Sequence, residues 1–235
     1  MTGVAWIEES GTFSGPIAIT NTHAVGIAHA GIIAWANRYH PAETQSWLLP
    51  VAAETWDGYL NDINGHHVTE EIVIAALEAA TTGPIDEGSV GGGTGMNCYQ
   101  FKAGSGTSSR VVDYNNTSFT VGVFVQANFG RRDELTVTGV YLGDELAADN
   151  PMRERFQAQA QAQAPAGTGS VIAVVATDAP LFPNQCKASL VANNEMIGRD
   201  GHRSPALPRD RVAEIVASRT TPARTTPPRT TPAHQ

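Results

Sequence analysis

Six consecutive apolar residues, Val171-Ile172-Ala173-Val174-Val175-Ala176, form the most strongly apolar strand of the chain, and their surroundings constrain what it can fold into. A short apolar run rich in β-branched side chains, bounded by turn signals, reads as a buried strand. Thr177-Asp178-Ala179-Pro180 terminates it and Ser170 opens it. Before Ser170 the composition changes: Phe156 to Pro165 alternates Ala and Gln, and Gly167-Thr168-Gly169 follows. Residues 150–169 therefore read as a flexible linker. A linker that ends in glycine before a strand-opening serine has a chemical meaning. Gly169 has no side chain to shield its carbonyl, so the Ser170 hydroxyl can attack it in an N-to-O acyl shift. Hydrolysis of that ester frees Ser170 as a new N-terminus, whose α-amine, with an ordinary pKa of roughly 7.7–8.0, can act as base for its own hydroxyl. Gly-Ser is also common in plain linkers, and pattern alone favours an ordinary linker-to-strand junction.

The 235 residues suffice for one large domain or two small ones. With 41% apolar residues, 23 glycines and only 16% charged residues, the chain reads as a compact, turn-rich body. A net charge of -8 argues against a nucleic-acid partner, which needs a basic surface to neutralise phosphates. No run approaches the roughly 20 apolar residues of a membrane span. Met1 to Ser10 has neither a basic n-region nor an apolar h-region, so no signal peptide is expected and the cytoplasm is the default location. Cys98 and Cys186 lack metal-ligand spacing and read as free buried thiols.

Upstream of the linker the opening reads as a strand. Gly15-Pro16 is a turn before the apolar run Ile17-Ala18-Ile19, and Val25 to Asn37 is a well-buried helix closed by Pro41. Trp47 to Ala53 reads as a second buried strand, and Glu54 to Tyr59 as too polar and glycine-broken for the core. Val68 to Ala80 is the clearest helix: Thr69 is its N-cap, Glu70 and Glu71 suit its first turn, and Ile72, Ala75, Ala76 and Ala79 form a stripe. Gly83-Pro84 ends it. Phe119 to Val125 and Leu135 to Leu142 read as strands joined by the polar turn 128–133. From residue 191 periodicity is lost except for a helical stretch from Asp210 to Ser218. Arg-Thr-Thr-Pro then begins at Arg219, Arg224 and Arg229, a low-complexity tail that cannot bury apolar area and reads as disordered. A shifted reading frame would produce such a tail.

Other motifs exclude chemistry more than they supply it. The loop Gly88 to Gly95 lacks the Gly-Lys-Ser/Thr of a P-loop and is not a dinucleotide fingerprint, so its glycines read as allowing close backbone approach. His66-His67 is an adjacent pair and no H-E-x-x-H exists, so neither metal nor cofactor is expected. His23 reads as a hydrogen-bonded core histidine. There is no G-x-S-x-G elbow. Glu54, at a strand end, is suited to hold a cationic amine, although a solvated loop acid is its plainer reading.

Several runs then carry a resemblance. Trp6-Ile7-Glu8-Glu9-Ser10, Gly15 to His23, Glu54 to Gly65, Gly91 to Met96, Val125 to Gly130, Gly169-Ser170 and Ala176 to Leu181 occur in the order found in DmpA-type aminopeptidases. These include L-aminopeptidase/D-esterases and β-peptidyl aminopeptidases, and the resemblance covers residues 5 to about 185. It overturns the plain reading of Gly169-Ser170. It implies an α+β fold, a four-layer αββα sandwich like that of N-terminal nucleophile (Ntn) hydrolases, incomplete in this chain. It also implies cleavage between Gly169 and Ser170, release of N-terminal residues from short peptides, amides or esters, and oligomers of αβ units without a metal. Residues 1–149 would be the α-chain part, 150–169 the linker, 170–190 the start of the β-chain and 191–235 a divergent tail. By motif, Ser170 is the nucleophile, Asn128 the oxyanion-stabilising amide, and Glu54 the acid that holds the substrate amine. Trp56 stands where the family carries a Tyr that helps the oxyanion hole, and an indole donates from a different point than a phenol. The resemblance also implies a family segment before Met1 and, downstream, a Ser-Gly-acid motif; at the expected spacing Arg209 stands between Pro208 and Asp210 instead. An inactive remnant of the family and an acyltransferase of the related fold are the alternatives.

Overall fold

A computed structural model of the chain describes residues 1–45, 47–148, 150–154 and 169–187, together with the backbone of 212–218. The helices are α1 (Val4–Ser10), α2 (Val25–Tyr39), α3 (Pro41–Thr44) and α4 (Glu70–Glu78). The long strands are β1 (Ile17–Asn21), β2 (Val51–Thr55), β5 (Ser105–Tyr114), β6 (Thr117–Asn128), β9 (Ser170–Thr177) and β10 (Val212–Ser218). Two small hairpins add β3 (Asn97–Cys98) with β4 (Phe101–Lys102), and β7 (Thr136–Val137) with β8 (Val140–Tyr141).

Alternation along β2 sets the layers. β1 and β2 run parallel, with α2 in the long crossover that a parallel pair requires. Ala52 points to the helices and packs with Ala28, Ile32 and Val73, with Ala18 of β1 at the edge of the cluster. Val51 and Ala53 point the other way, onto Ile172 and Val174 of β9, with Ile7, Phe13, Ile17 and Ile19 around them. Each side chain as large as Ile32 or Ile172 that is buried in this way contributes roughly 1.5–3 kcal/mol. Helices, the β1–β2 sheet and a second sheet of order β10-β9-β6-β5 thus form three successive layers among the described residues. The fold is α+β. The apolar run of β9 is buried on both faces over Val171, Ile172 and Ala173, while farther along Val174 is half-buried and Ala176 exposed.

The second sheet places the ends that matter. β6 and β9 are antiparallel, and their register runs from Val121↔Thr177 to Asn128↔Ser170. β5 and β6 join through Asn115-Asn116, whose φ angles of 48° and 62° suit a type I′ two-residue hairpin.

Five segments differ from their sequence readings. The opening is helix α1, not a strand: Ile7 is drawn into the inter-sheet core, and Gly11 at φ 67° closes the helix through its N–H to Ile7 O at 2.8 Å. α4 keeps its Thr69 cap but buries Val73 rather than the Ile72 stripe; Ile72 is 52% exposed. Gly31 of α2 decides this, because its bare Cα lets Val73 lie where a Cβ would sit only 2.6 Å away. Leu135 to Leu142 is not one strand but the β7–β8 hairpin, turned at Thr138-Gly139 with φ 50° and 83°. Glu54 to Tyr59 is not excluded from the core, since Thr55 and Asp57 are buried. Within the stretch 210–218, read as helical, Val212–Ser218 is strand β10, paired parallel with β9 from Val212↔Val171 to Ser218↔Thr177. Val212, Ile215 and Val216 are β-branched, which suits a strand at an open ladder. The linker residues 155–168 and the tail residues 188–211 and 219–235 lie outside the described residues.

Candidate active site

Ser170 is the first residue of β9 and Asn128 the last of β6, so the antiparallel register sets them side by side. The Asn128 amide Nδ2 donates to Ser170 Oγ at 3.1 Å. It also donates to Trp56 O at 2.6 Å, while Asn128 Oδ1 accepts from the Asn97 N–H at 3.2 Å. The carboxamide is therefore fixed in orientation and held in a largely buried position. Trp56 adds a second donor to the serine: its backbone N–H reaches Ser170 Oγ at 3.3 Å. Two N–H groups thus converge on one hydroxyl oxygen, from an amide side chain and from the main chain.

The ends of β2 and β6 hold this arrangement together. Gln126 Nε2 donates to Thr55 Oγ1 at 2.6 Å, and both residues are buried. The pair ties the residue before Trp56 to the strand that carries Asn128. After Trp56, Asp57 is buried and accepts from Asn61 Nδ2 at 2.8 Å. The Trp56 indole lies over its own loop, and a Cβ at Gly58 would come 2.8 Å from the ring. The main chain of Trp56, rather than its indole, makes the contact with Ser170.

Gly169 is required by space. A Cβ there would lie 2.7 Å from Phe129 Cβ and 3.0 Å from Asn128 O. The glycine-rich loop also presses its bare backbone onto protein atoms. A Cβ at Gly92 would sit 2.4 Å from Gln126 Oε1, and one at Gly95 would sit 2.6 Å from Asp57 Cβ. Close approach is thus the role of Gly92 and Gly95, whereas Gly88 and Gly91 meet nothing within 4 Å and take positive φ. Lys102 Nζ occupies the loop carbonyls, donating to Gly93 O at 3.3 Å and Met96 O at 3.4 Å, and loss of solvation lowers its pKa. Nearby, burial pushes the Cys98 thiol up to about 11. Cys98 and Cys186 are both free and half-buried.

Glu54 sits on the helix-facing side of β2, two residues on from Ala52. Its carboxylate Oε2 accepts from the Thr22 hydroxyl at the start of the helical layer. The structure thus gathers Ser170, Gly169, Asn128 and Trp56 at one point and sets Glu54 two residues before Trp56, near the end of β2. Sequence reasoning missed Asn97, Gln126, Thr55, Thr22 and Asp57. The signal for Asp57 lay in the glycine loop, whose backbone approaches it. A cavity of about 590 Å³ lined by Trp6, Phe13, Trp35, His40 and Trp47 lies at the other end of the β1–β2 sheet, beside the residues that lead into those strands. Among the described residues no group of three or more His, Cys, Asp or Glu side chains is placed to hold a metal ion. None of their helices is long and apolar enough to cross a membrane.

The sequence profile of peptidase family S58 matches residues 1–204. The chain belongs to peptidase family S58. The match reaches some way beyond the motifs that carry the resemblance, into residues outside the described set. Among characterised relatives, this S58 chain is 50% identical over 191 residues to the β-peptidyl aminopeptidase BapA of Sphingosinicella microcystinivorans, covering 80% of the chain and 48% of the relative. It is 44% identical over 208 residues to the BapA of Sphingosinicella xenopeptidilytica, covering 88% and 52% respectively. Of solved structures, it resembles the L-aminopeptidase D-Ala-esterase/amidase of Ochrobactrum anthropi, described as a prototype for the serine aminopeptidases and a variant of the Ntn-hydrolase fold. The TM-score is 0.80 at 42% identity, over 97% of this chain and 60% of that one. A Burkholderia sp. β-aminopeptidase aligns with TM-score 0.74 at 38% identity, over 100% of this chain and 62% of that one. The S58 chain spans about half the length of the characterised relatives it matches.

Proposed function

We propose that this S58 chain is a serine aminopeptidase of the N-terminal-nucleophile type, activated by its own cleavage at Gly169–Ser170. The observation that carries this is the convergence of the Asn128 amide and the Trp56 N–H on Ser170 Oγ. In the first step Oγ bonds to the Gly169 carbonyl carbon. The Gly169–Ser170 C–N bond breaks, and the hydroxyl proton passes to the released amine. Water then hydrolyses the ester, leaving a carboxylate on Gly169 and a free α-amine on Ser170. That amine takes the hydroxyl proton when Oγ attacks a substrate carbonyl. In each tetrahedral intermediate the oxyanion and Oγ share one carbon, so donors grouped at Oγ lie close to the developing charge.

Glu54 would hold the free amine of the substrate, which restricts release to N-terminal residues of short peptides, amides or esters. Support comes from its position on the strand end that leads to Trp56 and from the Thr22 hydroxyl that orients its carboxylate. Residues 1–169 and 170–235 would be the two chains of the processed unit, and homo-oligomers of such units are the corresponding assembly.

Intact-mass measurement of the purified protein tests the reading. Two fragments meeting at Gly169–Ser170 are expected, with a single uncut chain for Ser170→Ala and turnover of an amino-acid p-nitroanilide by the cut form. Cleavage that persists in Ser170→Ala removes Ser170 from the mechanism. An uncut wild-type chain without turnover points to a non-catalytic member of the family.

A further inference from the structure

Asp57 is a buried carboxylic acid that the chemistry above does not use. It is only 6% exposed. Its Oδ2 accepts from Asn61 Nδ2 at 2.8 Å, and its Oδ1, also buried, has no hydrogen-bond partner among the described residues. Its backbone carbonyl accepts from the Leu60 and Asn61 N–H groups, both at 3.1 Å, so the chain reverses on this residue. Across from it Gly95 has no side chain. A Cβ there would lie 2.6 Å from Asp57 Cβ and 2.7 Å from Asn61 Nδ2, so the glycine loop closes directly over the Asp57–Asn61 pair.

The neighbour of Asp57 gives this anchorage a purpose. Trp56 is 39% exposed, yet its main chain makes two site contacts, N–H to Ser170 Oγ and carbonyl from Asn128 Nδ2. An exposed residue holds its backbone still only if its neighbours are fixed. On one side Thr55 is fixed by its buried bond to Gln126. On the other side the fixed point is Asp57. We infer that Asp57 is a positioning residue for the nucleophile: its hydrogen bond with Asn61, under Gly95, holds the Trp56 main chain so that the N–H stays on Ser170 Oγ. A carboxylate suits this task, because its oxygen accepts from the Asn61 amide while the short side chain stays under the loop. The inference rests on the self-cleavage reading for its kinetic consequence, but not for its structural one.

The test uses the full chain and two readouts. Asp57→Ala should slow the appearance of the 170–235 fragment about tenfold or more, as small misplacements of reacting groups do, whereas Asp57→Asn, which can still accept from Asn61, should stay within about threefold of wild type. Val73→Ala removes packing in the helical layer and touches none of these groups, so it controls for lost stability. In parallel, hydrogen exchange at the Trp56 amide in Asp57→Ala should rise about tenfold or more relative to the amides of β1. If Asp57→Ala does not fold, Asn61→Ala, which deletes only the donor, carries the same expectations. A wild-type chain that is never cut refutes the self-cleavage reading, and Trp56 exchange then decides the positioning role alone. Unchanged Trp56 exchange, or cleavage slowed no more than in Val73→Ala, overturns the role of Asp57.

Discussion

The carboxamide of Asn128 has two N–H groups and one carbonyl, and each has a separate partner: Trp56 O, Ser170 Oγ and the Asn97 N–H. Its replacement therefore has a defined consequence. Asn128→Ala removes one donor from the reacting oxygen and should slow cleavage at Gly169–Ser170 by about 10²–10³, the usual loss for a single oxyanion-type donor. Asn128→Asp keeps the shape but sets an acceptor against Trp56 O and supplies no donor to Ser170 Oγ, so it should cleave no faster than Asn128→Ala. Timed intact-mass spectra check both, and an Asn128→Asp chain that cleaves like wild type would remove the donor role. A composition change and an apolar run single out Ser170 and Gly169, but pattern alone favours a plain linker-to-strand junction, and only the resemblance gives them a role. Asn128 and Glu54 were legible only through resemblance, since an amide at a strand end and an acid before a loop have many meanings. Asn97 was not legible at all: it acts through its backbone N–H, which every residue but proline carries.

At the scale of elements, the glycines record where chain segments touch. Gly92 and Gly26 make opposite predictions. A Cβ at Gly92 would collide with the Gln126 amide at 2.4 Å, and Gln126 cannot retreat without losing its buried bond to Thr55. Gly92→Ala should therefore destabilise the protein by about 1–3 kcal/mol, as overpacking and a broken buried hydrogen bond do. Gly26 lies in α2 with nothing within 4 Å of its missing Cβ, and its φ is not positive. Gly26→Ala should stabilise by about 0.5–1 kcal/mol through helix propensity. Urea titrations of the two variants decide this, and a Gly92→Ala protein as stable as wild type would show that the loop does not press on β6. The same logic explains which elements the sequence displayed. β1, α2, β6 and β9 announce themselves by period or by an apolar run. α4 was placed correctly but faced wrongly, because the choice between Ile72 and Val73 is made by Gly31 on another helix. β5 carried no signal: from Thr107 to Tyr114 it is exposed and exists through its pairing with β6.

At the scale of the molecule, the site exists only where strand ends of the two stacked sheets come together. Trp56 follows β2 of one sheet, Asn128 ends β6 and Ser170 begins β9 of the other, and the glycine loop closes over them. Loosening the contact between the sheets would therefore disperse the site before any strand unfolded. Cys98 offers a probe of that packing, since it adjoins Asn97 and its thiol is pushed up to about 11, first by burial, against hydrogen bonds from Phe129 and Tyr99. The unfolded chain would ionise this thiol near its ordinary value of about 8.5. Below that value both states hold the proton and the thiol adds no pH dependence. Between about 9 and 11 the folded state alone keeps its proton, so stability falls as pH rises, by about 2–3 kcal/mol across the window at about 1.4 kcal/mol per unit. Lys102 acts in the opposite direction, because desolvation lowers its pKa and the folded state gains as the ammonium is lost. The Cys98 contribution is thus isolated by difference. Urea unfolding of wild type and Cys98→Ser at pH 8 and at pH 10.5 should show the larger loss in wild type. Equal losses would mean that the thiol is solvated in the folded chain and that the layer beside Asn97 is open.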